Sequence, residues 1–367
     1  MSGPQVPEYI RRLAVYVPGK PIEEVQRELG VSDIVKLASN ENPLGTSPRA
    51  LAAIREALPE LHRYPDGSGF RLRRALAARH GVAIDQVILG NGSCEILEML
   101  ARAFIADGDE AVISQQSFVM YELAINQVNG RPVAVPTAPG RRHDLDAMAA
   151  AVSSRTKLVY VANPCNPTGT YNTRAELDRL LAAAGERVLV VLDQAYQEYV
   201  DRPDFPDGLE DVKSGHNVIV LRTFSKIFGL AGLRIGYGVG APEVIATLNR
   251  VRSPFNTSSV AQAAALGALE DGEWALRSRA HNLREMEFLE AELRRRRVRY
   301  TSSVTNFLLI EFAGDVRELF VEFQRRGVII RPVGGPGLAN CARVSVGTRP
   351  ENEKFLAALD QLIPARV

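Results

Sequence analysis

Between about residues 48 and 240, short unbroken apolar runs alternate with longer stretches whose apolar positions recur every three or four residues. The runs are QVILG (86–90), EAVISQ (110–115), KLVYVAN (157–163), RVLVVLD (187–193) and NVIVLRT (217–223). Their length and β-branched content predict strands, whereas CEILEMLARAF (94–104) and TRAELDRLLAAAG (173–185), the latter stopped by a glycine, predict helices. Strands apolar along their whole length are covered on both faces. The pattern therefore predicts an α/β fold with a mainly parallel sheet sandwiched by helices, and such sheets hold ligands at the carboxyl ends of their strands.

The flanks read differently. Residues 1–45 form an arm with one short helix near Ile22–Leu29, broken by Pro18, Pro21, Pro43 and Gly45. After about residue 250 comes a long helix with a polar face, roughly Val260–Arg297, then TNFLLIEF, a helix near Val316–Arg326, GVIIRPV and ARVSVG. That order predicts a smaller α+β domain. The chain thus divides into an arm (1–45), a larger domain (46–248) and a smaller one (249–367).

Composition narrows the partners. The 44 basic and 43 acidic side chains nearly cancel, so no global field recruits nucleic acid or an anionic membrane. No apolar run has the length of a signal peptide or a membrane span, and a cytoplasmic protein is expected. Cys94, Cys165 and Cys341 form no C-x-x-C pair, which suits reduced thiols, and the histidines show no zinc spacing, so no metal is expected. Arg294–Arg297, with Arg299 nearby, end a glutamate-rich helix, where cations oppose the negative helix terminus.

Polar residues recur just where the apolar runs stop. Gly92 and Ser93 open the helix beginning near Cys94, where unpaired backbone N–H groups can cradle an anion; alone they would be an ordinary helix N-cap. Thr223, Ser225 and Arg234 add the hydroxyls and guanidinium that accompany a phosphate. Lys226 stands among apolar residues and glycines beside this site, where desolvation and a neighbouring cation disfavour its charged form and leave a nucleophile for carbonyls. A cofactor with both a carbonyl and a phosphate is pyridoxal 5′-phosphate, whose ring nitrogen needs an acidic partner. Asp193 supplies one; Asn166 and Tyr196 can hydrogen-bond the ring's phenolic oxygen, and Phe118 can stack on its face. Singly, each except Lys226 reads as a cap, a turn former or a core aromatic. In this order on successive strand ends they do not.

These residues carry a likeness. The segments LASNENPLG (37–45), RYPDG (63–67), NGSCE (91–95), NPCNPTG (163–169), DQAYQEY (193–199), TFSKIFGLAGLRIGYG (223–238) and RVSVGT (343–348) resemble the fold-type I pyridoxal-phosphate-dependent aminotransferases. SNENP and RYPDG are similar to the subgroup acting on histidinol phosphate. The resemblance implies a seven-stranded-type sheet, the cofactor joined covalently to Lys226, and Lys226 as the acid and base of transamination with 2-oxoglutarate. It implies that Arg343 clamps the substrate α-carboxylate, that Arg331 meets the substrate's phosphate, and that Asn40 and Tyr16 lie near the substrate. Tyr64 would reach the cofactor phosphate of a neighbouring subunit, which implies a homodimer with shared active sites. Cys94 departs from the carboxylate or amide common there, leaving the backbone contact; Phe118 replaces a tyrosine of some relatives. An aromatic amino-acid aminotransferase or a decarboxylase of a phosphorylated amino acid shares most of these residues. A catalytically silent regulator of this type would be joined to a DNA-binding domain, for which residues 1–45 leave no room.

Overall fold

The computed structural model describes residues 5–16 and 19–363. Pro18, expected to break the arm, lies outside them. The arm helix occupies Ile22–Leu29 as expected and is preceded by a single turn at Glu8–Arg11. Strand β1 (Val35–Lys36) follows. Then come β2 (Val87–Gly90), β3 (Glu110–Ser114), β4 (Arg131–Val135), β5 (Thr156–Ala162), β6 (Leu189–Asp193), β7 (Val218–Thr223) and β8 (Gly236–Gly240). These seven, β2 to β8, build one sheet in the order β2-β8-β7-β6-β5-β3-β4.

All neighbours in the sheet run parallel except across β8, which is antiparallel to both β2 and β7. The carboxyl ends of β2, β3, β5, β6 and β7 therefore share one edge. Each strand sends alternate residues to opposite faces. Val159, Val161, Val190, Leu192, Val218 and Val220 enter one apolar layer, while Leu158, Tyr160, Leu189, Val191, Ile219 and Leu221 enter the other. Both layers are closed by helices, which explains why the runs are apolar throughout.

Strands β4 and β8 were not expected from the apolar runs. β8 reads GYGVG, and its three glycines face Ser93, Ile88 with Leu221, and Ile219, with no side chain between. β4 is one of the two edge strands, and its RPVAV sequence is only partly buried.

The long helix expected over 260–297 is two helices, Ser259–Leu269 and Gly272–Arg295, parted at Glu270 and Asp271. Asp271 accepts a bond from the Trp274 N–H and so caps the second. The first is rich in small residues. Its Ala261, Ala264, Ala265 and Ala268 join the core of the seven-stranded sheet, and at Gly267 a Cβ would stand 2.7 Å from the Arg49 carbonyl oxygen of the helix Pro48–Ala57. Only the second helix carries the polar face. At its end Arg295 pairs with Glu292 (3.0 Å), and Arg296 pairs with Glu292 and with Asp360 (2.6 Å), so these arginines are neutralised locally.

The remaining strands are β9 (Arg299–Thr301), β10 (Phe307–Glu311), β11 (Val328–Ile329), β12 (Arg331–Pro332) and β13 (Cys341–Ser345). A second sheet, ordered β12-β13-β10-β9, is antiparallel throughout; β1 of the arm pairs with β11. A separate apolar cluster, including Leu308, Ile310, Phe323, Val344 and Phe355, packs this unit with the helices Val316–Arg325 and Arg349–Leu362. Among the described residues no helix is long and apolar enough to cross a membrane.

Candidate active site

A cavity of about 310 Å³ opens at the carboxyl edge of the large sheet, against the arm and β12–β13. Every site residue expected from the sequence lines it except Gly92 and Tyr64. A larger groove of about 830 Å³ lies between the loop at Arg141 and strands β9–β10. It contains none of those residues, so convergence of chemistry rather than size identifies the site.

One end of the cavity is built for an anion. The helix Gly92–Phe104 starts two residues before Cys94, with Gly92 at φ +69°, and its first-turn N–H groups have no intrahelical acceptor. Glu95 bonds the Asn91 N–H (2.6 Å) and the Asn256 amide (2.7 Å), so its carboxylate is engaged elsewhere. Thr223 Oγ1 accepts from the Ser225 N–H (3.1 Å), and Ser225 Oγ accepts from Arg234 Nη1 (3.4 Å). A Cβ on Gly92 would collide with Arg234 Nη2, and one on Gly236 would lie 2.6 Å from the Ser93 nitrogen. Two glycines thus permit a guanidinium and a strand to close on a helix N-terminus, which is a cradle suited to phosphate. Gly236→Ala is expected to displace that terminus, at a cost of about 1–3 kcal/mol in stability. In a spectroscopic titration it should weaken cofactor binding at least about tenfold.

The middle of the cavity carries the reactive groups. Lys226 Nζ lies 3.3 Å from the Ser39 carbonyl oxygen and 5.6 Å from the centroid of the Tyr196 ring. Asp193, at the end of β6, accepts from Tyr121 Oη (2.9 Å) and the Ala195 N–H (3.2 Å). Burial raises the Asp193 pKa above its ordinary value, against the pull of Tyr121 and Lys226. A cationic ring nitrogen would supply the missing counter-charge. Burial likewise raises the Cys94 thiol.

Tyr121 escaped the sequence reading. It stands three residues after Phe118, a spacing that puts both rings on one side of a helical turn, and they meet edge to face at 5.8 Å. Tyr121 also stacks on Tyr160 at 5.0 Å.

The far end is cationic. Arg343 on β13 donates to Asn166 Oδ1 (2.7 Å) and the Ala38 carbonyl oxygen (2.8 Å), and its Nε is buried with no partner among the described residues. Burial lowers its pKa, and the groups acting on its charge are Tyr196, Arg331 and Tyr16, none of them a carboxylate. A shielded guanidinium without a counter-ion is costly until an anion arrives. Arg331 on β12 lies over the Tyr16 ring (5.6 Å) and donates to its hydroxyl (3.5 Å). Asn40 is buried and donates to Tyr196 Oη (2.8 Å). Tyr64 is 83% exposed and stacks on Phe255 (4.7 Å), away from this cavity.

The geometry therefore provides an anion cradle, a lysine, a buried carboxylate and a second anion clamp in one space. Residues 32–359 match the family described as aminotransferase class I and II. The chain is 52% identical over 364 residues to histidinol-phosphate aminotransferase of Anaeromyxobacter sp. (strain Fw109-5), covering 99% of this chain and 100% of that one. It is 48% identical over 361 residues to that of Moorella thermoacetica, covering 98% and 93% respectively. Among solved structures it resembles histidinol-phosphate aminotransferase from Sinorhizobium meliloti in complex with pyridoxal-5′-phosphate, with a TM-score of 0.91, 29% identity and 98% of each chain covered. By site and by sequence, the chain belongs to the class I and II aminotransferases.

Proposed function

We propose that the protein is a pyridoxal-phosphate-dependent transaminase that interconverts L-histidinol phosphate and 2-oxoglutarate with imidazole acetol phosphate and L-glutamate, in histidine biosynthesis. The observation that carries this reading is that Lys226 shares one cavity with a phosphate cradle and with the guanidinium of Arg343, which has no carboxylate partner among the described residues. Relatives of that name, about half identical over nearly the whole chain, support it.

When bound, the cofactor supplies an electron sink for the pair left at the substrate α-carbon. Its phosphate would be held by the N–H groups at Gly92, Ser93 and Cys94, with Thr223, Ser225 and Arg234. Asp193 would hold the ring nitrogen's proton, Phe118 would cover one ring face, and Asn166 and Tyr196 would flank the phenolic oxygen. Lys226 Nζ would hold the cofactor at its aldehyde carbon and is the amine in the cavity that would hold the proton removed from the substrate α-carbon. Arg343 orients the α-carboxylate through a planar two-pronged contact that a lysine could not reproduce. Residues 46–248 thus carry the cofactor, while the arm and residues 249–367 supply the substrate-side groups.

A cytoplasmic homodimer is part of the proposal. Tyr64 stands exposed beside Phe255, and Leu58, Leu61 and Phe70 are also exposed, a surface suited to a second copy whose cradle Tyr64 would reach. Cys94, Cys165 and Cys341 are unpaired, as a reducing compartment requires.

Substrate choice is tested at Arg331, which with Tyr16 is assigned the substrate's phosphate. The unmodified enzyme should give a higher kcat/KM for histidinol phosphate than for phenylalanine. Arg331→Ala should lower the first about 10- to 100-fold and leave the second nearly unchanged, the loss expected for one charged hydrogen-bonding partner. Equal losses on both substrates would remove Arg331 from this role, and a preference for phenylalanine would replace the reading by an aromatic transaminase.

A further inference from the structure

We infer that Asn40 and Ser345 are positioning residues that aim the Tyr196 hydroxyl proton into the cavity; the inference rests on the cofactor assignment above. Asn40 is 1% exposed and left-handed (φ +55°), a conformation asparagine tolerates better than most residues. Its backbone N–H donates to Ser345 Oγ (2.8 Å), and its backbone oxygen accepts from the Asn306 amide (3.0 Å). Ser345 Oγ in turn donates to Asn40 Oδ1 (3.1 Å).

A serine hydroxyl has one proton to give. Among the described residues Oδ1 is the acceptor for it, and an amide turned over would leave that proton without one, so the serine favours this orientation of the Asn40 amide. Nδ2 must then face Tyr196, to whose Oη it donates at 2.8 Å. With the amide turned over, Oδ1 would face Tyr196 and consume the phenolic proton. The serine therefore decides the direction of a hydrogen bond it does not touch. The Tyr196 ring is held edge-on to Phe307 (5.3 Å), and the side chain lines the cavity. Its proton is thus left for an acceptor inside, and a hydroxyl that already accepts a bond is a stronger donor. On the cofactor assignment above, that acceptor would be the ring oxygen of the cofactor.

The other neighbour of that oxygen is arranged in the same way. Arg343, two residues before Ser345 and on the same face of β13, occupies Asn166 Oδ1 and leaves the amide N–H groups to donate. One strand of the smaller sheet thereby sets the donor direction of both residues.

The test is the pH midpoint of the visible absorbance band of the cofactor-loaded enzyme. A bond donated to the ring oxygen weakens its hold on the proton of the adjoining nitrogen, so losing that bond raises the midpoint. Tyr196→Phe should raise it by about one unit and Ser345→Ala by about half a unit, within the range of a single hydrogen bond to a charged group. Asn40→Gly, which keeps the left-handed backbone, should act like Ser345→Ala, and Ser345→Thr should restore the original midpoint. In the Tyr196→Phe background Ser345→Ala should add nothing. An unchanged midpoint in both Ser345→Ala and Asn40→Gly, or an equal shift with and without the Tyr196 hydroxyl, overturns the inference. Absence of the band from the unmodified enzyme would instead sink the cofactor assignment, and the inference with it.

Discussion

Lys226→Ala is expected to lower kcat by at least about 10⁴-fold, the upper range for removing a positioned acid–base group, since the anchor of the cofactor is lost as well. Neither the cavity's thiol nor its most deeply buried phenol can substitute. Burial raises the Cys94 thiol, and Tyr121 is raised well above its ordinary value by burial and by Asp193, so both stay protonated near neutral pH. Borohydride reduction of the unmodified enzyme, followed by digestion and mass analysis, should place a pyridoxyl group on Lys226. The variant should bind cofactor only reversibly and carry no adduct. Turnover within tenfold of the unmodified enzyme would refute the assignment.

The second large effect is expected at Asp193. Asp193→Asn keeps the shape and removes the charge, so the ring nitrogen loses its partner; kcat should fall about 10²- to 10³-fold, the magnitude seen for preorganised electrostatic groups. The cofactor-free protein gives an independent readout. Burial raises the folded-state pKa of Asp193 above the ordinary 3.8. Between those two values the folded chain retains a proton that the unfolded chain has released. Stability contributed by this group is therefore present below the lower value and declines as pH rises through the window. Urea unfolding at a series of pH values should show that decline in the cofactor-free protein and its absence in Asp193→Asn. Tyr121→Phe removes the hydroxyl bonded to Asp193 and should extend the decline to higher pH. Identical pH profiles for all three proteins would contradict the account.

Much of this architecture can be read along the chain because its information is local. Five of the strands are largely apolar runs; four of them, β2, β5, β6 and β7, lead into polar residues that line the cavity, and β3 leads into Phe118 and Tyr121, which line it too. β8 is invisible to that reading since glycine contributes no apolar pattern; it is a strand because β2 and β7 pair with it on both sides. The split between the helices at Ser259–Leu269 and Gly272–Arg295 is likewise hidden, since both continue a helical period and only Asp271 marks the new cap. On the substrate side, nothing near Arg343 or Arg331 in sequence announces an anion clamp, and only family likeness points to them. Tyr121 and Ser345 act through Asp193 and Asn40, 72 and 305 residues away, distances at which no spacing rule operates.

The glycine track of β8 has a bearing on where damage can arise. A methyl group at Gly238 would stand 3.2 Å from Ile88 and 3.3 Å from Leu221, residues that share a core layer with Ile96 and Leu100 of the helix whose first turn forms the cradle. The Ile88 and Leu221 side chains would have to give by a few tenths of an ångström, in the layer on which that helix rests. The support of the cradle thus extends to buried, chemically silent positions, and a screen confined to the cavity wall would overlook them.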